Sequence, residues 1–188
     1  MSFWRSFVIS FVIFFIGYST ILFLFFEIEI DGISMLPTLQ DESFVLEKKN
    51  YPFLSEVKRG DIISFRVEGE DTNFIKRALG LPGDTVELKN GKLIINNDVI
   101  PKISTSEMNE FTETLNNGKS YNVLDTEESE DYDNTKKYLV PEKHYFVLGD
   151  NRDDSIDSRD IGFIHHKDVV SKMIPETEFL YYLKYLVF

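Results

Sequence analysis

From Ser6 to Phe26 the chain carries no charged residue, and Phe7 to Phe26 is apolar apart from Ser10, Gly17, Tyr18, Ser19 and Thr20. As a helix at ~1.5 Å per residue, these positions span roughly 31 Å, close to the hydrocarbon thickness of a bilayer. That length predicts a retained membrane helix. A cleaved export signal would have an apolar region of about 7–15 residues followed by small residues at the cut site. The stretch Glu27 to Asp31 offers no such site. Arg5 precedes the run while Glu27, Glu29 and Asp31 follow it, a bias that favours the amino terminus inside the cell and the remainder outside. The lipid bilayer is therefore an expected partner. The remaining residues suffice for one compact domain.

Beyond the run the hydropathy period changes from helical to two. Glu27 to Ile30, Ser43 to Lys48, Asp61 to Val67, Phe74 to Leu79, Val86 to Leu88, Leu93 to Ile95, Tyr138 to Val140 and Tyr145 to Leu148 all read as strands. Asn90-Gly91 sits where a type I′ hairpin turn is expected, and Gly80-Leu81-Pro82-Gly83-Asp84 is a second turn. Asp125 to Asp133 holds six acidic side chains and almost nothing apolar, which predicts a mobile loop. The pattern predicts a mainly β chain. It divides into a stub and anchor (1–26), a first β part (27–98), an inserted strand-rich subdomain (99–139) and a second β part (140–188). Phe179 to Phe188 is apolar except Lys184 and too short to span a bilayer, so it reads as a closing strand, with contact to the membrane surface as the alternative.

Several chemistries are excluded at once. A net charge of −12 without any basic stripe argues against nucleic acid. The absence of cysteine removes disulfides, thiolate zinc sites and a thiol nucleophile. Neither G-x-S-x-G nor H-E-x-x-H occurs. In an extended segment the adjacent His165 and His166 point apart, and His144 has no evident partner, so all three histidines read as structural or surface groups. The Asp150–Asp160 run lacks the glycine and terminal glutamate of a calcium loop. Ser55-Glu56-Val57-Lys58 matches S-x-x-K but has no accompanying S-D-N or K-T-G. No cofactor and no metal are expected.

Two residues remain. Ser34 lies in Gly32-Ile33-Ser34-Met35-Leu36-Pro37-Thr38-Leu39, an apolar-lined turn after the first strand. Lys76 interrupts the apolar strand Phe74-Ile75-Lys76-Arg77-Ala78-Leu79, where alternation sends Lys76 and Arg77 to opposite faces and one of them inward. A lysine held in a water-poor site loses solvation of its charged form; a fall of about 3 units would leave it able to take a proton from a serine near neutral pH. The bland reading of Lys76 is a surface lysine with a buried stem, and that of Ser34 a turn serine.

Taken together, these segments resemble bacterial type I signal peptidases. The carriers are Gly32 to Leu39, Lys76-Arg77-Ala78-Leu79-Gly80-Leu81-Pro82-Gly83-Asp84, Gly149-Asp150-Asn151-Arg152-Asp153-Asp154-Ser155-Ile156-Asp157-Ser158-Arg159, and the shorter Arg59-Gly60-Asp61-Ile62-Ile63. The match runs from residue 28 to about 170 and is weak over 99–139. The resemblance implies two antiparallel sheet regions and a serine–lysine dyad that cuts exported preproteins after small residues at −1 and −3. Signal peptides would be the partner, with a functional link to the secretion translocon at the cell membrane. By position it makes Ser34 the nucleophile and Lys76 the base. Ser155 would orient the ammonium, Asp157 and Arg159 would form a supporting ion pair, and Arg77 would be structural. The oxyanion hole falls to the Ser34 N–H and to position 32. Some members carry there a serine whose hydroxyl donates; here it is Gly32, as in other members, and a bound water is the expected substitute. Ile28, Ile30, Met35, Leu39, Phe74 and Ile75 would wall the substrate pocket. Ser34 follows Phe26 by eight residues, so at ~3.4 Å each it lies within roughly 27 Å of the helix end. A maturation peptidase of the same fold, and an inactive membrane-tethered acidic interaction domain, are the alternative readings.

Overall fold

A computed structural model describes residues 2–49, 56–126 and 130–173. The apolar closing segment 179–188 and Ser55 of the S-x-x-K match lie outside the described residues. The chain opens with helix α1 (Ser2–Leu24) and continues into β1 (Phe25–Glu29) and β2 (Phe44–Lys49). Next come β3 (Ile62–Phe65), β4 (Phe74–Gly80), β5 (Thr85–Lys89), β6 (Lys92–Ile95) and β7 (Asp98–Val99). The insert supplies β8 (Lys102–Ser104), β9 (Glu110–Thr114) and β10 (Ser120–Leu124), followed by one turn of helix α2 (Glu130–Asp133) and by β11 (Tyr138–Leu139). The last part holds β12 (His144–Leu148), α3 (Ser158–Ile161), β13 (Ile164–His165) and β14 (Val169–Met173).

Side chains of α1 from Phe3 to Tyr18 are exposed except at Gly17, apolar rings included. Among the described residues no helix is long and apolar enough to cross a membrane. The side chains described in α1 end at Ser19, before the apolar positions Ile21 to Phe25.

The strands form antiparallel sheets in the orders β1-β2-β14-β3-β4-β12-β13, β11-β5-β6-β7 and β10-β9-β8. The two sheet regions implied by resemblance are thus joined by a third sheet that the insert makes from its own strands. The Asn90-Gly91 hairpin forms with φ of 49° and 66°, the left-handed pair a type I′ turn needs. A core of Leu79, Val86, Leu88, Leu93, Ile95 and Phe146 also takes in Leu115, Tyr121 and Val123, so the insert packs on the four-stranded sheet. A second core gathers Ile63, Phe65, Ala78, Val147 and Ile164, and a third sets Met35 and Leu39 of the turn against Ile30 and Ile62. That third cluster pins the Ser34 turn to the large sheet from below.

The acidic stretch differs from the expected loop at both ends. Asp125 is buried against the Lys102 ammonium, and Glu130–Asp133 is helical. His165 and His166 do not point apart as an extended segment would place them. His166 starts a 3-10 turn instead of continuing the strand, which brings its ring within 4.7 Å of His165. His144, opposite His165 in the β12–β13 pair, adds a third ring at 4.8 Å.

Candidate active site

Strand β4 runs beside β3, with Lys76 opposite Ile63, and presents the lysine to the turn that carries Ser34. Lys76 Nζ lies 2.8 Å from Ser34 Oγ and 2.9 Å from the Ile75 carbonyl, with the Phe74 ring centroid at 5.5 Å. The lysine is 4% exposed. Burial lowers its pKa from 10.5 to about 8, against the opposing pull of Asp157 and Asp150, which favour the charged form. The Ser34 N–H has no acceptor among the described residues and is free to meet a developing oxyanion. Gly32 is different. Its N–H donates to Asp41 Oδ1 at 2.8 Å and is not a free second donor, and its φ of 108° suits glycine.

Alternation promised one inward cation; both are buried, Arg77 at 5% exposure. Arg77 survives burial because Asp150 accepts two bonds from it, at 2.8 and 2.6 Å, while the Gly60 carbonyl accepts a third at 2.9 Å. Thr38, from the nucleophile turn, donates to the same Asp150 at 2.5 Å. Asp157 caps α3 and accepts from Arg159 Nε and Nη2 at 2.8 and 2.7 Å, and from the Gly149 N–H at 3.0 Å. Ser155 does not meet the ammonium. Its hydroxyl is buried without a hydrogen-bond partner among the described residues, and Lys76 is held by the Ile75 carbonyl instead.

Around the pair is a cavity of about 550 Å³. Ile28, Ile30, Met35, Phe74 and Ile75 line it as anticipated; Leu39 does not, because it is buried beneath the turn with Met35 and Ile62. The wall also holds Ile33, Ser64, Thr72, Asn73 and Ile156, which sequence reasoning passed over, and its rim carries Glu29, Asp31 and Asp154. A larger cavity of about 820 Å³, lined by Thr38, Arg77, Tyr121 and Lys172 among others, contains neither Ser34 nor Lys76. Chemistry, not size, selects the first. Carboxylate oxygens of Asp125, Asp133 and Asp153 lie within 4.8 Å of one another, with Lys102 paired to Asp125 as the local cation.

Asp150 and Thr38, bonded to Arg77 and to each other, and the buried pair Glu113–Arg152 had no role in the sequence reading. One signal existed for Glu113: the spacing Phe111, Glu113, Leu115 places a carboxylate on the inward face of β9.

The family described as "Signal peptidase, peptidase S26" matches residues 3–175. Signal peptidase I of Rickettsia bellii (strain OSU 85-389) is 40% identical over 136 residues, 64% of this chain and 47% of that protein, so the chain spans about half the length of this relative. Signal peptidase I P of Bacillus subtilis subsp. natto is 36% identical over 149 residues, 79% of this chain and 74% of the relative. A solved signal peptidase I from Enterococcus faecalis V583 is 30% identical, covering 64% of this chain and 99% of its own, with a TM-score of 0.43.

Proposed function

Because the chain belongs to the signal peptidase, peptidase S26 family, we propose that it is a membrane-anchored serine endopeptidase that removes signal peptides from exported preproteins after small residues. The observation that carries this reading is the 2.8 Å contact between Lys76 Nζ and Ser34 Oγ in a buried setting. Charged, the lysine donates to the hydroxyl; neutral, it accepts the hydroxyl proton as Oγ attacks the scissile carbonyl. The Ser34 N–H then faces the tetrahedral oxyanion. The protonated lysine gives its proton to the leaving amine, releasing the mature chain and leaving an acyl ester on Ser34. A water, deprotonated by the same amine, hydrolyses that ester and restores both groups. Arg77–Asp150 and Asp157–Arg159 would hold the strand and the turn that frame this pair. Ile28, Ile30, Met35, Phe74 and Ile75 would receive the small residues before the cut.

Membrane attachment is part of the proposal. The uncharged, mostly apolar run from Ser6 to Phe26 ahead of the domain supports a single-pass anchor with Ser34 near the bilayer surface, and Arg5 before it with Glu27, Glu29 and Asp31 after it supports a catalytic part outside the cytoplasm. The test is cleavage of a preprotein by the full chain in detergent. Ser34→Ala and Lys76→Ala should each reduce turnover by at least about 10³-fold while the circular dichroism spectrum is kept. Normal turnover in either folded variant contradicts the dyad.

A further inference from the structure

We propose that Glu113, on the inserted three-stranded sheet, is a positioning residue that fixes the Gly149–Arg152 turn against the nucleophile turn by way of Arg152. This rests on the peptidase reading above, and deepens it.

Glu113 is 0% exposed although it belongs to a short strand of the insert. Its two oxygens accept from Arg152 Nη1 at 2.8 Å and Nη2 at 2.5 Å, and Tyr121 donates its hydroxyl to Oε2 at 2.6 Å. A pair this deeply buried adds little net stability, because desolvating two ions costs about what their attraction returns. Its geometric effect is large: gripping both Nη atoms of a planar guanidinium sets the direction of the third donor. That donor, Arg152 Nε, reaches the Gly149 carbonyl at 3.2 Å. The end of β10 grips the same turn, since Arg152 N donates to the Leu124 carbonyl at 2.8 Å and Leu124 N to the Asp150 carbonyl at 2.9 Å.

The held turn in turn holds the nucleophile. Asn151 N donates to the Ser34 carbonyl at 3.1 Å, and Asn151 Nδ2 to the Ile33 carbonyl at 3.2 Å. Asp150, between them, is the partner of Arg77, the neighbour of the base. Tyr121 places its ring 4.1 Å from the Arg77 guanidinium, so the pair of insert strands supports the lysine strand as well. An acyl-transfer pair loses about 100-fold in rate for a misplacement near 1 Å, so a support that reaches Ser34 through Arg152 and Asn151 is kinetically visible.

The experiment compares wild type, Glu113→Gln and Tyr121→Phe as full chains in detergent, with kcat and KM for a signal-peptide substrate corrected for folded fraction. Hydrogen exchange at the Asn151 amide is read on the same samples. Glu113→Gln is expected to lower kcat by about 10- to 100-fold with KM within about 2-fold, and to speed Asn151 exchange. Tyr121→Phe loses one bond to Oε2 and should lower kcat by about 2- to 10-fold in the same direction. It also carries the test if Glu113→Gln does not fold. Wild-type kcat and unchanged Asn151 exchange in the folded variants overturn the proposal. If the wild-type chain cleaves nothing, the peptidase reading fails separately, and the positioning claim stands or falls on the exchange rates.

Discussion

Lys76 has given up hydration and, among the described residues, gained no full ion pair of its own; Ser34 and the Ile75 carbonyl are its hydrogen-bond partners there. Its pKa near 8 makes the linkage sign explicit. Below about pH 8 the folded and unfolded chains both hold the proton, so the cost of burying the charge is fully present. Between about 8 and 10.5 the unfolded chain binds the proton and the folded one does not, so stability climbs with pH. The shift corresponds to a cost on the order of 3 kcal/mol. Lys76→Met should therefore be inactive yet more stable than wild type at pH 7, with the gain shrinking above pH 8 and gone above about 10.5. Denaturant melts across that range check it; a variant less stable at every pH contradicts it. The rate of cleavage should rise with pH through about 8, because only the neutral amine accepts the serine proton.

At the scale of elements, three segments converge: the nucleophile turn, the β4 strand and the Gly149–Arg159 stretch. Gly149 marks the closest approach, since a Cβ there would lie 2.6 Å from the Ser34 carbonyl and collide with Ser155. Gly149→Ala should destabilise the fold by about 1–3 kcal/mol and displace Ser34, lowering kcat more than it raises KM. Steady-state kinetics beside a urea melt separates the two effects; a stable, fully active variant would show that the turn has room. Strands β1 to β6, β11 and β12 and the Asn90-Gly91 hairpin were legible in the sequence because period-two alternation and left-handed turn residues are local signals, whereas β13 and β14 were not read. Lys76 was legible as a cation on an apolar strand. The burial of Arg77 was not, since its carboxylate, Asp150, lies 73 positions away and no local pattern announces the pairing. Leu39 was misjudged because alternation and polarity do not reveal which apolar side chain of a turn faces a cavity and which faces the sheet. Ser155 falls in the right segment, but the geometry of a buried hydroxyl depends on side-chain rotation that spacing does not encode.

For the molecule as a whole, an apolar helix is followed at once by a β-domain whose cavity opens beside the first strand. That order supports the proposal that the anchor delivers the domain to the membrane without taking part in the chemistry. Removing residues 2–24, which leaves β1 whole, should release the protein from lipid vesicles in flotation while leaving cleavage of a soluble peptide within about 10-fold of the full chain. Complete loss of peptide cleavage with the fold intact would assign the helix a catalytic share. The cores joining the insert to the four-stranded sheet, and the turn to the large sheet, make the site depend on segments far apart in sequence. All of them converge on one water-poor environment for one amine. The direct measurement is a heteronuclear NMR titration of the Lys76 side chain in the full-length protein in detergent. A midpoint near 8 is expected, moving toward that of a free lysine when the fold is unfolded in urea; a midpoint near 10.5 in the folded protein would contradict the mechanism.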